Sequence, residues 1–239
     1  MFKGIHMAIH TFSKFDKELE GLRAQVMEMG GIVEEQIKDA ISCLKDADSK
    51  LIDKIINRDE DVNDLQTSID ENCELVLVKR TPVAADLRFV LTVQKITTDL
   101  ERIGDEAAKI ARAAKRIFEN DRMSKPSLTN IKSMQKLVSE MLHTALDSFT
   151  RMDPDAILSI IKDDQSVDEI YQSCMRSQLT LMMEDPRNIS TALEIVYVAK
   201  AVERIGDHAE NISEHIVYWV KGSDVRHLST KEIKKELRS

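Results

Sequence analysis

The pentapeptide Glu101-Arg102-Ile103-Gly104-Asp105 recurs unchanged as Glu203-Arg204-Ile205-Gly206-Asp207, 102 residues further along the chain. Its surroundings repeat with it: Leu100 answers Val202, Ala107 answers Ala209, and Ile110 answers Ile212. Upstream, Asp59-Glu60-Asp61-Val62-Asn63 parallels Asp164-Gln165-Ser166-Val167-Asp168. Such a self-match marks one supersecondary unit laid down twice, each copy burying its apolar side in the same way. Any fold open to this chain is therefore a duplicated one.

The apolar period identifies the repeated element. Val93, Ile96, Leu100, Ile103, Ala107, Ile110, Ala114 and Ile117 follow one another at alternating steps of three and four residues. Ile195, Val198, Val202, Ile205, Ala209, Ile212 and Ile216 keep the same steps. This is the seam of a helix packed at a shallow angle on other helices. Only 7 Gly and 4 Pro occur in 239 residues, so helices can run long, and with 4% aromatics the core must be built from aliphatic side chains.

Breakers and caps predict six helices. They run from about Phe12 to Lys45, from a cap at Asp48 or Ser49 to Lys79, and, beyond Thr81-Pro82, from Ala84 to Asn120. The second set runs from about Leu128 to Arg151, from a cap at Asp153 with Pro154 at the first helical position to Asp185-Pro186, and on to Val220, where Gly222 closes it. The expected fold is all-α: two tandem antiparallel three-helix bundles, resembling spectrin repeats in plan. The domains predicted are 1–121 and 128–222, joined through the polar stretch Asp121–Ser127, with 223–239 a charged, mobile tail. In that tail Lys231, Lys234, Lys235 and Arg238 are offset by Glu232 and Glu236, which argues against direct lipid binding.

A net charge of −8 gives no basic face to follow a phosphate backbone, so nucleic acid is not an expected partner. Cys43, Cys73 and Cys174 match neither zinc-ligand spacing nor a disulfide framework and read as buried thiols in a reducing compartment. No apolar run reaches the roughly 18 residues of a membrane span, and Met1–Ile9 lacks the apolar stretch of a signal peptide. A cytoplasmic protein is expected.

Packing accounts for only part of the repeated pentapeptide. Ile103 and Ile205 lie in the seam, and Gly104 and Gly206 admit a close neighbour at a cost of about 1 kcal/mol relative to alanine. Glu101 and Asp105, four residues apart, share a helix face that points away from the seam, as do Glu203 and Asp207. Like charges at this spacing destabilise a helix by a few tenths of a kcal/mol, and solvated faces moderated by Arg102 and Arg204 are the plain reading of either pair alone. The preceding helices add Asp59 and Asn63 around Val62, and Asp164 and Asp168 around Val167, on the same-handed flank. Antiparallel neighbours either bring such flanks into one groove or turn both outward. Brought together, each half gathers four oxygen-bearing side chains, and such shells suit Mg²⁺, Mn²⁺, Ca²⁺ or iron, with Zn²⁺ a further candidate.

At these residues the sequence resembles the PhoU family, regulators of bacterial phosphate uptake that carry a twice-repeated Glu/Asp-x-x-x-Asp pattern. The likeness extends through Thr81-Pro82-Val83-Ala84-Ala85-Asp86-Leu87-Arg88 and Glu203–Ile212, and covers about Phe12 to Gly222. The resemblance implies two similar bundles, metal clusters held on the surface by the acidic repeats, and negative regulation of the phosphate-starvation response. It also implies homodimers, and partnership with the phosphate ABC transporter ATPase and a sensor histidine kinase, with the membrane reached only through them. The halves differ, since Asn63 answers Asp168 and Asp86-Leu87-Arg88 answers Asn188-Ile189-Ser190, so the second site is the more acidic.

Two other readings compete. A di-metal carboxylate enzyme uses Glu-x-x-His pairs, but Glu140 to His143 stands alone, and His208 points to another side of its helix than Asp207. A metal-free helical adaptor would have the same fold. No nucleotide loop or nucleophile arrangement occurs, and no basic or glycine-rich cradle suggests that phosphate is bound directly.

Overall fold

A computed structural model describes residues 13–45, 48–119 and 127–238. The helices are α1 Ser13–Cys43, α2 Ser49–Arg80, α3 Ala84–Glu119, α4 Thr129–Arg151, α5 Ile157–Glu184, α6 Ile189–Lys221 and α7 Thr230–Arg238. Their ends have local causes. Asp48 caps α2 by accepting from the Lys50 amide at 3.0 Å. Asp153 and Asp185 cap 3₁₀ turns, Pro154–Ala156 and Pro186–Asn188, that lead into α5 and α6. Gly222 ends α6 at φ 80°, a left-handed conformation that glycine adopts without a Cβ clash.

Helices α1–α3 form one bundle and α4–α6 the other. The seams behave as their period predicts: every seam residue of α3 and α6 is buried except Ile117, which packs at the margin. Each buried Ile or Leu removes apolar surface worth about 1.5–3 kcal/mol. The bundles share a continuous core rather than standing apart. Helices α3 and α6 lie against each other antiparallel, joined from one end to the other by Arg88 Nε to the Trp219 carbonyl at 3.1 Å, Glu106 to Arg204 at 3.0 Å, and Arg116 to Glu194 at 2.9 and 2.8 Å. Helices α1 and α4 make a second antiparallel contact, so tight that a Cβ on Gly30 would lie 2.7 Å from Leu146 Cδ1. At one end of this four-helix layer Phe89, Phe149 and Trp219 cluster with centroids 5.0–6.1 Å apart, and Arg23 lies 5.5 Å over the indole. Helices α2 and α5 are left on the outside.

Two expectations meet a different outcome. The joining stretch 121–127 falls, except for Ser127, outside the described residues, as do Phe12 and Asn120. The tail expected to be mobile carries α7, whose Ile233 packs with Val225 on Ile157, Ile161 and Val217. Lys221 Nζ donates to the Leu237 carbonyl at 2.8 Å, tying the end of α6 to that of α7. Net charge along the segment concealed the i, i+4 pair Ile233 and Leu237.

Candidate metal-binding faces

On the first face, buried Val62 and Ile103 anchor α2 and α3, and the carboxylates flank them. Gly104 lets the helices close: a Cβ there would lie 3.7 Å from Asp59 Oδ1 and 3.6 Å from Val62 Cγ1. Burial, then the charge of Asp105, pushes Asp59 above the usual carboxylate range. Burial, then Asp105 and Asp59, does the same to Glu101. These three groups therefore share one electrostatic field, as the like-handed flanks allow. Arg112 Nη2 approaches Asp59 at 3.8 Å, and Lys109 Nζ lies 3.8 Å from Asp105. Asn63 is exposed one turn beyond Asp59.

The second face is more crowded. Asp164 Oδ1 would lie 3.2 Å from a Cβ on Gly206. Burial, reinforced by Glu210, Asp207 and Asp168, pushes Asp164 up to about 7. Burial also raises Glu203, which Lys200 opposes through an ion pair and Asp207 and Asp168 reinforce. Asp207 is raised by burial against the pull of Lys200. Sequence reasoning missed Glu210 and Glu214, which extend the stripe of Glu203 and Asp207 along α6. Burial raises Glu210 and takes Glu214 to about 7, despite Arg226. Their spacing from Asp207 was readable, but their counterparts, Ala108 and Arg112, break the repeat.

The donors on both faces are oxygens, mutually repelling and partly desolvated, which fits a hard cation. Among the described residues no three His, Cys, Asp or Glu side chains converge on one point that would hold an ion. Lys109, Arg112 and Lys200 meet several of the carboxylates instead, and loading a cation requires those side chains to swing aside.

Between the faces, the α3–α6 seam holds a buried polar cluster. Asp99 Oδ1 lies 2.9 Å from His208 Nδ1 and 3.3 Å from Asn211 Nδ2, and its Oδ2 lies 3.1 Å from His215 Nε2. Burial acts to raise Asp99, but hydrogen bonds from the two histidines outweigh it and hold the carboxyl at about 2. His208 does point away from Asp207, into this seam. His143 is exposed and pairs with Glu34 at 3.1 Å. All three cysteines are free and buried, with burial taking the Cys73 thiol up to about 12.

Fold and faces together define a class: a three-helix bundle, twice repeated, presenting the same acidic pentapeptide on each copy. The PhoU domain model matches residues 26–114 and 131–216, one match per bundle. The chain belongs to the PhoU family. It is 41% identical over 230 residues to the Pseudomonas aeruginosa phosphate-specific transport system accessory protein PhoU homolog, covering 96% of this chain and 95% of that one. With the Escherichia coli K12 phosphate-specific transport system accessory protein PhoU it shares 42% over 228 residues, 95% and 94% of the two chains. The crystal structure of PhoU from Pseudomonas aeruginosa superposes with a TM-score of 0.83 at 42% identity, covering 87% of this chain and all of that one. The Streptococcus pneumoniae phosphate transport system regulatory protein PhoU gives 0.80 at 29% identity, covering 88% and 99%.

Proposed function

We propose that this protein regulates phosphate uptake as the accessory component of a phosphate-specific transport system. The observation that carries the reading is likeness over nearly the whole chain to relatives bearing that name. In this reading the protein works in the cytoplasm as a homodimer. It restrains the phosphate-starvation response by coupling the phosphate ABC transporter ATPase to a sensor histidine kinase. It acts by binding rather than catalysis, and reaches the membrane through its partners. Among the described residues no helix is long and apolar enough to cross a membrane itself.

The acidic faces serve this role as metal sites. Glu101, Asp105 and Asp59 supply carboxylates on the first face, with Asn63 a turn away. Glu203, Asp207, Asp164 and Asp168 supply them on the second, and Mg²⁺, Mn²⁺ or iron suits such a set. A bound cation offsets the repulsion that raises these groups and so stiffens the helix pairs that partners contact. A metal-free adaptor, favoured by the protein's own cations on these faces, is the competing reading.

Two measurements test this. Deleting the gene in its host should raise expression from phosphate-starvation promoters in phosphate-rich medium, and the wild-type gene should restore repression. Unchanged expression overturns the regulatory reading. Elemental analysis of purified protein should find metal that is lost from one face in Glu101→Ala/Asp105→Ala and from the other in Glu203→Ala/Asp207→Ala. Metal-free wild-type protein after incubation with Mn²⁺, Fe²⁺ or Mg²⁺ leaves the adaptor.

A further inference from the structure

Gln36 on α1 is fully buried against the pentapeptide helix of the first bundle. Its Nε2 donates to the Ile55 carbonyl at 3.4 Å, while its Oε1 finds no hydrogen-bond partner among the described residues. A buried amide oxygen left unpaired costs about 1–3 kcal/mol, so apolar packing alone does not explain a glutamine here. The place it occupies is specific. The position a Cβ would take on Gly104 lies 3.2 Å from Gln36 Oε1 and 3.7 Å from Asp59 Oδ1, so the two oxygens are no more than about 7 Å apart. In the second bundle the corresponding neighbour of Gly206 is Met141, whose Cε lies 3.5 Å from the equivalent point. A thioether is at most a weak acceptor.

We infer that Gln36 is a specificity-determining residue of the first face, its amide oxygen accepting a hydrogen bond from water carried by a hydrated cation on Asp59. The inference rests on the metal-binding reading above and adds to it a neutral acceptor from α1 that no carboxylate pattern contains. The dimensions agree. A span of about 7 Å accommodates a Mg²⁺ ion with oxygen ligands at about 2.1 Å and one of its waters, hydrogen-bonded at about 2.8 Å. Mg²⁺ gives up its waters reluctantly, so an acceptor placed for a retained water favours it over ions that shed water readily. The second face offers more carboxylates and no such acceptor. The two faces thereby differ in the cation they prefer, the first taking hydrated Mg²⁺ and the second an ion held by charge.

Isothermal titration of the full chain with Mg²⁺ alone tests this, in a Glu203→Ala/Asp207→Ala background that leaves only the first face. Gln36→Met should weaken Mg²⁺ binding about 10-fold, the scale on which partners behind a metal's ligands act. Gln36→Glu, which keeps an acceptor in the same shape, should bind at least as tightly as Gln36. Gln36→Leu provides a second apolar variant should methionine disturb the fold, which far-UV circular dichroism reports. Equal affinity in the apolar variants and Gln36 overturns the inference while leaving the metal reading intact. Equal weakening in Gln36→Glu and Gln36→Met also overturns it, because the side chain then acts through its Nε2 contact with Ile55. No Mg²⁺ heat from wild-type protein defeats the metal reading, and this inference with it.

Discussion

The two acidic faces share a pentapeptide, a glycine-mediated close approach and a pair of helices, yet they carry different fields. Where the first has Arg112, Lys109 and Ala108, the second has Glu214, Asn211 and Glu210. Lys200 is the second face's own cation, at the position of Thr98. Burial raises carboxylates on both, but on the second Asp164 and Glu214 reach about 7. Duplication preserved the geometry, which depends on Gly104 and Gly206. The charge around it diverged, because flanking positions can change sign without disturbing the seam.

The largest test of this contrast is metal affinity itself. With the faces isolated by Glu101→Ala/Asp105→Ala and Glu203→Ala/Asp207→Ala, competition against a chelator should show the second binding Mn²⁺ about 100-fold more tightly, since ligand charge sets affinity in oxygen sites. Equal affinities would mean that the extra carboxylates lie outside the reach of the ion.

Acid–base behaviour gives the next effect. Glu214 is held near 7 in the fold, above its ordinary value of 4.5, so its protonated form favours folding. Its contribution is complete below 4.5 and disappears as pH climbs through 7. Glu214→Gln should therefore gain about 2 kcal/mol over wild type at pH 8, and little at pH 4, in denaturant titrations without metal. A gain independent of pH would place the effect in packing instead.

Converting one face toward the other comes third. Arg112→Glu removes the cation beside Asp59 and reproduces the second face's sign there. It should tighten Mn²⁺ binding at the first face about 10-fold, or about 1.4 kcal/mol.

The smallest effect concerns the glycines. Alanine at either position gains about 1 kcal/mol of helix propensity. At Gly206 the crowded atom is Asp164 Oδ1, which can turn toward solvent, so Gly206→Ala should be neutral to stabilising. At Gly104 it is the oxygen of fully buried Gln36, which has no room to move, so Gly104→Ala should lose about 1 kcal/mol. Thermal melts of both variants decide it.

Much of the architecture was legible because its causes are local. Asp48, Asp153, Asp185 and Gly222 act within a turn of where they stand, and the three–four period of α3 and α6 states which side is buried. The like-handed flanks of Asp59 with Glu101, and of Asp164 with Glu203, followed from rotation per residue. What could not be read depends on contacts distant in sequence. The continuous core arises from α3 meeting α6 and α1 meeting α4, and nothing in either repeat alone announces a partner helix. Asp99 gains its meaning only from His208 and His215, more than a hundred residues away. Gln36 looks like an ordinary interruption in an apolar stripe until Gly104 and Asp59 are placed beside it.

The aromatic cluster at the end of the four-helix layer has a use beyond packing. Trp219 is the chain's single tryptophan, and its ring contacts Phe89 from the first bundle and Phe149 from the second, beneath the Arg23 guanidinium. Indole emission in this molecule consequently comes from one place, the junction of the two halves, with a cation over the ring and little solvent around it. Any parting of the bundles, whether by partner, cation or denaturant, would hydrate that ring and shift its spectrum to the red. The protein is thus its own optical gauge of the distance between its halves, with no label attached.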